Sequence, residues 1–442
     1  MKIYGKGKEE IVDAFRNGEV TVAVYGLGKM GLPLAAVFAG KGAKVIGVDV
    51  SEEVVEGINN GVNHIREEPG LDELVARTVE SGNLRASTNL VEAAGNSDVL
   101  IILVPTLIRD NKPDLSIVHS VAKGISSGLM KGDIVITECT MPPGSTEDLI
   151  PVLEESGLKV GRDFGLGHCP ERTMTGTALR DITGQYPKIV GAGDEGTETV
   201  LTALYSVINS RGVIPVSGIK AAELVKVFEG VYRDVNIALA NELNRVCDRL
   251  NVDYMAIQEA ANTQPYSHLH TPGGVGGHCI PYYPYFVMDK DTVLLRTARG
   301  VNDSIPDYII HLIKEVLRES ERDLGDSNIM ILGISFRGGV KETIKSTAIE
   351  VIEKLKPLSG GVYAFDPLFS KEEVECFNVI YSEGFGDMDC VVIASDHDEF
   401  RGYNWGEIAG ELRTKAVVDT RQVINPKEVR ELGFIYRGLG YI

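Results

Sequence analysis

The stretch VTVAVYGLGKMGLPLAAVFAGKGAKVIGVDVSEE, residues 20–53, decides the fold. Its opening run, 20–25, is apolar and β-branched and predicts a buried strand. Gly26-x-Gly28-x-x-Gly31 predicts a tight turn, 30–40 a helix, and 45–48 a second strand that stops at Asp49. In that order each residue type has a physical task. Glycines let the main chain approach a pyrophosphate, the first turn of the helix offers unpaired N–H groups, and an acid closing the second strand takes the ribose hydroxyls. Gly26, Gly28, Gly31 and Asp49 are therefore candidate cofactor contacts. The acid repels a 2′-phosphate, so NAD is expected rather than NADP.

Composition sets the outer limits. A chain of 442 residues exceeds what one core usually serves, so two or three domains are expected. With 44 Lys+Arg against 63 Asp+Glu the formal charge is −19, which works against non-specific binding of nucleic acid or anionic membrane as a main role, so neither is expected as a partner, and requires a local basic site for any anionic ligand. No apolar run approaches a membrane span and the first residues carry no apolar signal core, so a cytoplasmic location is expected. The six cysteines are scattered without a CxxC pair, against a disulfide framework. The tripeptide GHC occurs at 167–169 and 277–279, but adjacent ligands on a strand point to opposite faces and the usual zinc spacings are missing, so no metal is expected.

Outward from the glycine turn, strands at 99–104 and 134–137 run into the polar loops Pro105-Thr106 and 138–144, where a parallel sheet places its ligands. A strand at 165–168 leads into Cys169-Pro170-Glu171-Arg172, and 188–191 reads as the last strand of this domain. From 219 the pattern turns helical. Leu224, Phe228, Val231, Val235, Leu239 and Leu243 form an apolar stripe on a spine helix, with Lys226 and Arg233 two turns apart. The loop GGVGGHCIPYYP, 273–284, sets Cys279 behind four glycines, which by itself reads first as a tight turn carrying a buried thiol and second as a thiolate nucleophile that meets a substrate without side chains in the way. Helical segments run to about 324. A second α/β half follows: strand 328–332, loop 333–339, helix 346–356, strand 362–365 ending at Asp366, and later strands at 388–394 and 415–418. It echoes the first half without GxGxxG, so a related nucleotide fold with a different ligand is expected. The fold class is α/β: two Rossmann-like parallel-sheet domains, 1–215 and 323–442, joined by a central helical domain, 216–322.

Taken together, GLGKMG with Asp49, VPT at 104–106, ECTMPPGST, CPER, ELVKVFEGVYRDVNIALANEL, GVGGHCIP and GISFRGG resemble the UDP-glucose/GDP-mannose dehydrogenase family, from about residue 20 to 425. GHCIP, CPER and the YRDVNIALANEL helix are most similar to its UDP-N-acetyl-D-mannosamine dehydrogenase branch. The resemblance implies oxidation of a UDP-sugar at C6 from alcohol to carboxylate with reduction of two NAD, through a cysteine thiohemiacetal and thioester. It implies Cys279 as nucleophile, Lys226 as acid/base and oxyanion partner, and Glu171 and Thr140 at the positions that hold or deprotonate the water. Arg172, Thr173, Lys226, Arg233, Gly276, Phe336 and Arg337 match substrate positions, and Lys29, Met30, Asp49, Thr106 and Thr140 match cofactor positions. It also implies a homodimer or higher homo-oligomer through the spine helix, and a product of the kind that feeds surface polysaccharide synthesis.

Four positions depart from the family pattern. Gly230 stands for the usual Asn, Tyr283 for the usual Asp, Ile344 with Lys345 beside it for the usual Arg, and Gln264-Pro265-Tyr266 for HPR. UDP-N-acetyl-D-mannosamine leads as substrate. UDP-glucose, UDP-N-acetyl-galactosamine, or a nucleotide-sugar-binding role with impaired catalysis stand as alternatives.

Overall fold

The computed structural model describes residues 1–109 and 112–441. They form two compact units, Met1–Glu229 with Tyr285–Val287, and Gly230–Pro284 with Met288–Ile442.

The first unit is built on ten strands: β1 Thr21–Tyr25, β2 Lys44–Val48, β3 Leu84–Ser87, β4 Val99–Ile102, β5 Leu107–Arg109, β6 Lys112–Asp114, β7 Ile134–Thr137, β8 Gly165–His168, β9 Lys188–Ala192 and β10 Val213–Pro215. β5 and β6 pair as a separate antiparallel ribbon, and the other eight form one sheet in the order β10-β9-β8-β7-β4-β1-β2-β3. From β3 to β8 every pairing is parallel, in the 3-2-1-4-5-6 order of a doubly wound nucleotide fold. Both faces are covered. Val22 and Val24 of β1 enter the core under the helices Gly31–Gly40 and Glu195–Ile208, while Ala23 and Tyr25 enter the core on the opposite face.

The expectation that 188–191 closes this domain is corrected here. β9 runs antiparallel to β8, and β10 follows it as a parallel edge strand. Three residues ending in Pro215 are too short to register as a strand, and an edge position is where such a proline is tolerated.

The second unit repeats the 3-2-1-4-5-6 order. β11 Asn328–Leu332, β12 Gly361–Phe365, β13 Ile380–Tyr381, β14 Cys390–Ile393, β15 Ala416–Asp419 and β16 Ile435–Gly438 form an all-parallel sheet, β13-β12-β11-β14-β15-β16. Ile329 and Ile331 of β11 pack on one face under the helices Ile305–Glu319 and Thr347–Leu355, and Met330 and Leu332 pack on the other with Trp405 and Phe400.

A 32-residue helix, Ile219–Leu250, carries the chain from one unit to the next, the division falling after Glu229. Its apolar stripe is not a buried seam. Phe228 is 56% and Leu239 46% exposed, whereas Ala222, Val227, Ala238, Ala240 and Cys247 are buried. Sequence periodicity locates an apolar face, but does not tell which partner covers it. No helix among the described residues is long and apolar enough to cross a membrane.

Candidate active site

Gly26 follows β1 with φ +97°, a conformation an L side chain rarely adopts, and donates its N–H to the Val48 carbonyl at 2.8 Å. A Cβ on Gly26 would run into the Leu103 carbonyl, and one on Gly31 into the Gly26 carbonyl. Gly28 is different: a Cβ there meets nothing within 4 Å. Protein packing explains the first and third glycines, whereas the second leaves open the space before the helix N-terminus, where nucleotide folds of this order bind a pyrophosphate. Asp49 caps β2, half-buried, with its two carboxylate oxygens accepting from the N–H groups of Leu27 at 2.9 Å and Ser51 at 3.0 Å. These residues fit NAD. Lys29 is exposed beside Glu67, and the Met30 sulfur accepts a bond from the Thr173 hydroxyl.

At the carboxyl edge of the same sheet the Thr106 hydroxyl donates to the Thr140 carbonyl at 2.8 Å. Glu223, one turn before Lys226, accepts from Gly144 N at 2.6 Å and Thr146 N at 2.8 Å, so the loop after β7 is pinned to the long helix. Glu171 is buried and accepts from Thr173 N at 2.6 Å. Burial opposes its ionisation, but the ammonium groups of Lys188 and Lys226 and the Thr173 N–H outweigh it, holding its pKa below the ordinary value. Arg172 stacks on Tyr186 and pairs with Glu229 at 2.7 Å, and its buried Nε has no partner.

Sequence reasoning missed the ions behind this loop. Lys188, on β9, pairs with the fully buried Glu138 at 2.6 Å and lies 3.7 Å from Glu171, while the Tyr205 hydroxyl donates to Glu138. Lys188 had been visible only as a strand residue, and no spacing in the sequence connects it to residues 138, 171 and 205. Cys169 and Cys139 are buried thiols whose pKa values burial drives up, that of Cys139 to about 12.

In the second unit Cys279 is exposed and opens a turn, its carbonyl accepting from Tyr282 N at 3.1 Å and Tyr283 N at 3.0 Å. The glycines before it are fixed by packing. Gly273 exchanges hydrogen bonds with the Asn241 side chain, and a Cβ on Gly274 would overlap Thr347. On Gly276 a Cβ would lie 2.7 Å from both the Lys345 carbonyl and Phe336 Cβ. Gly277, at φ +89°, lies against the Phe336 ring and donates to the Ile344 carbonyl at 2.8 Å. Arg421, also missed from sequence, donates to the Phe336 carbonyl at 2.7 Å. Arg337 sits over the Phe336 ring with its Nε buried and unpartnered. Arg233 is exposed, and His270, whose pKa burial lowers with help from the His268 and Arg233 charges, feels it only weakly.

The departures at 230 and 283 prove to be one feature. A Cβ on Gly230 would overlap the Tyr283 ring, so the bulky residue in one place requires the small one in the other.

A doubly wound sheet with an open second glycine, a strand-end acid and polar loops at its carboxyl edge, together with a second sheet of the same order, defines a nucleotide-dependent dehydrogenase. Family models agree: the NAD binding domain, central domain and UDP binding domain of the UDP-glucose/GDP-mannose dehydrogenase family match residues 20–209, 220–304 and 330–426. The chain belongs to that family, and is an NAD-dependent nucleotide-sugar dehydrogenase. It is 36% identical over 424 residues to UDP-N-acetyl-D-mannosamine dehydrogenase of Pyrococcus horikoshii, covering 95% of this chain and 99% of that protein. It is 35% identical over 428 residues to NDP-N-acetyl-D-galactosaminuronic acid dehydrogenase of Ralstonia nicotianae, covering 92% and 97%. The solved structure of the Pyrococcus horikoshii UDP-D-ManNAc dehydrogenase superposes with a TM-score of 0.87 at 34% identity, covering 95% of this chain and 99% of that one.

Proposed function

We propose that this enzyme oxidises C6 of a UDP-N-acetyl-hexosamine, UDP-N-acetyl-D-mannosamine first, from alcohol to carboxylate through covalent intermediates on Cys279. The observation that carries the reading is the contrast among thiols: Cys279 is exposed at the head of a turn whose glycines are locked by packing, while Cys139 and Cys169 are buried with raised pKa values. NAD, when bound, accepts one hydride in each of two oxidations.

The residues divide the remaining work. Lys226, after losing its own proton to solvent, takes the C6 hydroxyl proton as the first hydride leaves, and the ammonium so restored stabilises the oxyanion. The Cys279 thiolate adds to the aldehyde carbon to give a thiohemiacetal, and loss of the second hydride leaves a thioester. Glu171 and Thr140 hold the water, and Glu171 accepts its proton as the C–S bond breaks and the carboxylate forms. Gly26, Gly28, Lys29, Met30, Gly31, Asp49, Thr106 and Thr140 contact NAD; Arg172, Thr173, Lys226, Arg233, Gly276, Phe336 and Arg337 contact the sugar nucleotide.

The division of labour we propose is cofactor binding in 1–215, the thiol, the lysine and subunit contact in 216–322, and the uridine diphosphate in 323–442. The exposed Phe228 and Leu239 support a homodimer through the long helix; light scattering of Leu239→Glu should give a monomer.

The test is a panel of UDP- and GDP-sugars incubated with NAD, with NADH and product mass followed. Two NADH per sugar acid, fastest from UDP-N-acetyl-D-mannosamine, is the expected result. Preference for UDP-N-acetyl-galactosamine or UDP-glucose would reassign the sugar. Tight UDP-sugar binding without NADH would leave a binding protein. Cys279→Ser should abolish the second oxidation and Cys169→Ser should retain it.

A further inference from the structure

Behind Glu171 the first unit buries an ion cluster that catalysis as described does not use. Glu138 follows β7 and is fully buried, Lys188 opens β9 with 13% of its side chain exposed, and their charged atoms lie 2.6 Å apart. Tyr205, on the helix Glu195–Ile208, donates to the second Glu138 oxygen and places its ring 5.0 Å from the Lys188 nitrogen. A buried lysine is expensive to keep charged, and one carboxylate would balance it. Here there are two. The second is Glu171, its Oε2 at 3.7 Å, its Oε1 fixed by Thr173 N, and its own N–H bonded to the Glu138 carbonyl at 3.1 Å. Glu171, Arg172, Tyr186, Lys188, Tyr205 and Asn209 share the wall of one small cavity of about 20 Å³, room for about one water beside the pair.

We infer that Lys188 is a positioning residue: its ammonium, anchored by Glu138 and Tyr205, holds the Glu171 carboxylate in the orientation in which it receives a proton from water. Glu138 is thus the anchor and Glu171 the working group. The charge pattern agrees. Burial raises the pKa of Glu138 despite Lys188, whereas Glu171 lies below its ordinary value because Lys188, Lys226 and Thr173 N together overcome burial. Lys188 itself is held protonated, the two carboxylates outweighing burial. The groups coupled to Glu171 are Glu138 from the loop after β7, Tyr186 and Lys188 before and on β9, and Lys226 from the long helix, with Arg172 and Tyr205 on the same cavity wall and His168 and Cys169 felt through Lys188. Asp181 and Glu229 lie farther out, felt at Tyr186.

The inference rests on Glu171 acting as base, and the test separates the two ideas. The pH dependence of kcat/KM is measured with NAD and UDP-N-acetyl-D-mannosamine for wild type, Lys188→Met, Lys188→Arg and Glu138→Gln. An opposite charge at this distance shifts a carboxyl by about one to three pH units. Lys188→Met should therefore move the acidic limb upward by about one unit or more, Lys188→Arg should return it, and Glu138→Gln should move it downward by releasing Lys188 to Glu171 alone. An unmoved limb in Lys188→Met with a lowered rate means a merely structural lysine and overturns the inference. Should Lys188→Met not fold, the downward shift of Glu138→Gln beside an unmoved Lys188→Arg tests the same coupling, and an unmoved limb in Glu138→Gln overturns it. A carbon-13 titration of the Glu171 carboxyl, assigned with Glu171→Gln, reads the coupling without turnover. A Lys188-dependent titration in an enzyme inactive on every sugar of the panel upholds the inference and sinks the functional reading, whereas a titration indifferent to Lys188 sinks the inference alone.

Discussion

Asp49 and Asp366 each close the second strand of a six-strand parallel order, and the two carboxylates do different work. Asp49 is half-buried and accepts two backbone N–H groups, leaving lone pairs open to a ribose. Asp366 is fully buried, and its oxygens accept from Ile334 N, Ser335 N, the Ser335 hydroxyl, His397 Nε2 and Leu368 N. Burial alone would raise its pKa, yet those bonds, His397 first, hold it below the ordinary value. The glycines differ in the same sense. A Cβ on Gly28 meets open space, whereas one on Gly338 runs into the Asp396 backbone. One topology thus carries an acid left accessible and an acid spent on its own loop. Under the proposed function the second sheet meets its nucleotide with other groups, Phe336 and Arg337 among them.

The sharpest way to break this contrast is Asp366→Ala. Stranding five donors at a buried position should remove about 3–5 kcal/mol from the unfolding free energy of the second unit. The chain's one tryptophan, Trp405, lies in that unit's core and reports the transition by fluorescence in urea. A loss below about 1 kcal/mol would make Asp366 as dispensable to folding as Asp49. Gly28→Val comes next: NAD affinity by calorimetry should fall about 100-fold, roughly 2.7 kcal/mol, with the unfolding midpoint unchanged. Unchanged affinity would mean that the open space is not the pyrophosphate site.

A pH experiment tests the first unit alone. His168 is buried, bonded through Nδ1 to the Thr137 hydroxyl at 2.8 Å, and burial, aided by Lys188 and Lys226, takes its pKa from 6.5 to about 3. The unfolded chain gains this proton below 6.5 while the folded chain refuses it down to about 3. Stability therefore falls with pH across that window, by up to about 1.4 kcal/mol per unit. Hydrogen exchange in peptides of β7 and β8 should show the slope, and His168→Gln should flatten it. The smallest effect is expected for Asp49→Asn, under about 1 kcal/mol in stability because water reaches the site, with a narrowed gap between NAD and NADP affinities. A large stability loss there would erase the distinction between the two acids.

Much of this was legible in the chain. The run from 20 to 53 has the apolar strand, the glycines and the acid within one local unit, where spacing suffices. The same holds for 328–332 and 362–365, whose apolar runs end in punctuating loops. β10 escaped because three residues carry no period, and the stripe on the long helix misled because periodicity marks an apolar face without naming its cover. Cys279 and Glu171 stood out by chemistry and resemblance. Lys188, Glu223 and Arg421 did not, since each acts on a loop far away in sequence.

Sequence alone therefore determined the strand order's local units and the nicotinamide cofactor, because these depend on neighbours a few residues apart. Tertiary structure decided which glycines are packed and which one is kept open, which acid is free and which is consumed, and that Gly230 and Tyr283 are one adjustment. Such facts arise where distant segments meet at van der Waals and hydrogen-bond distance, and only folding sets those distances.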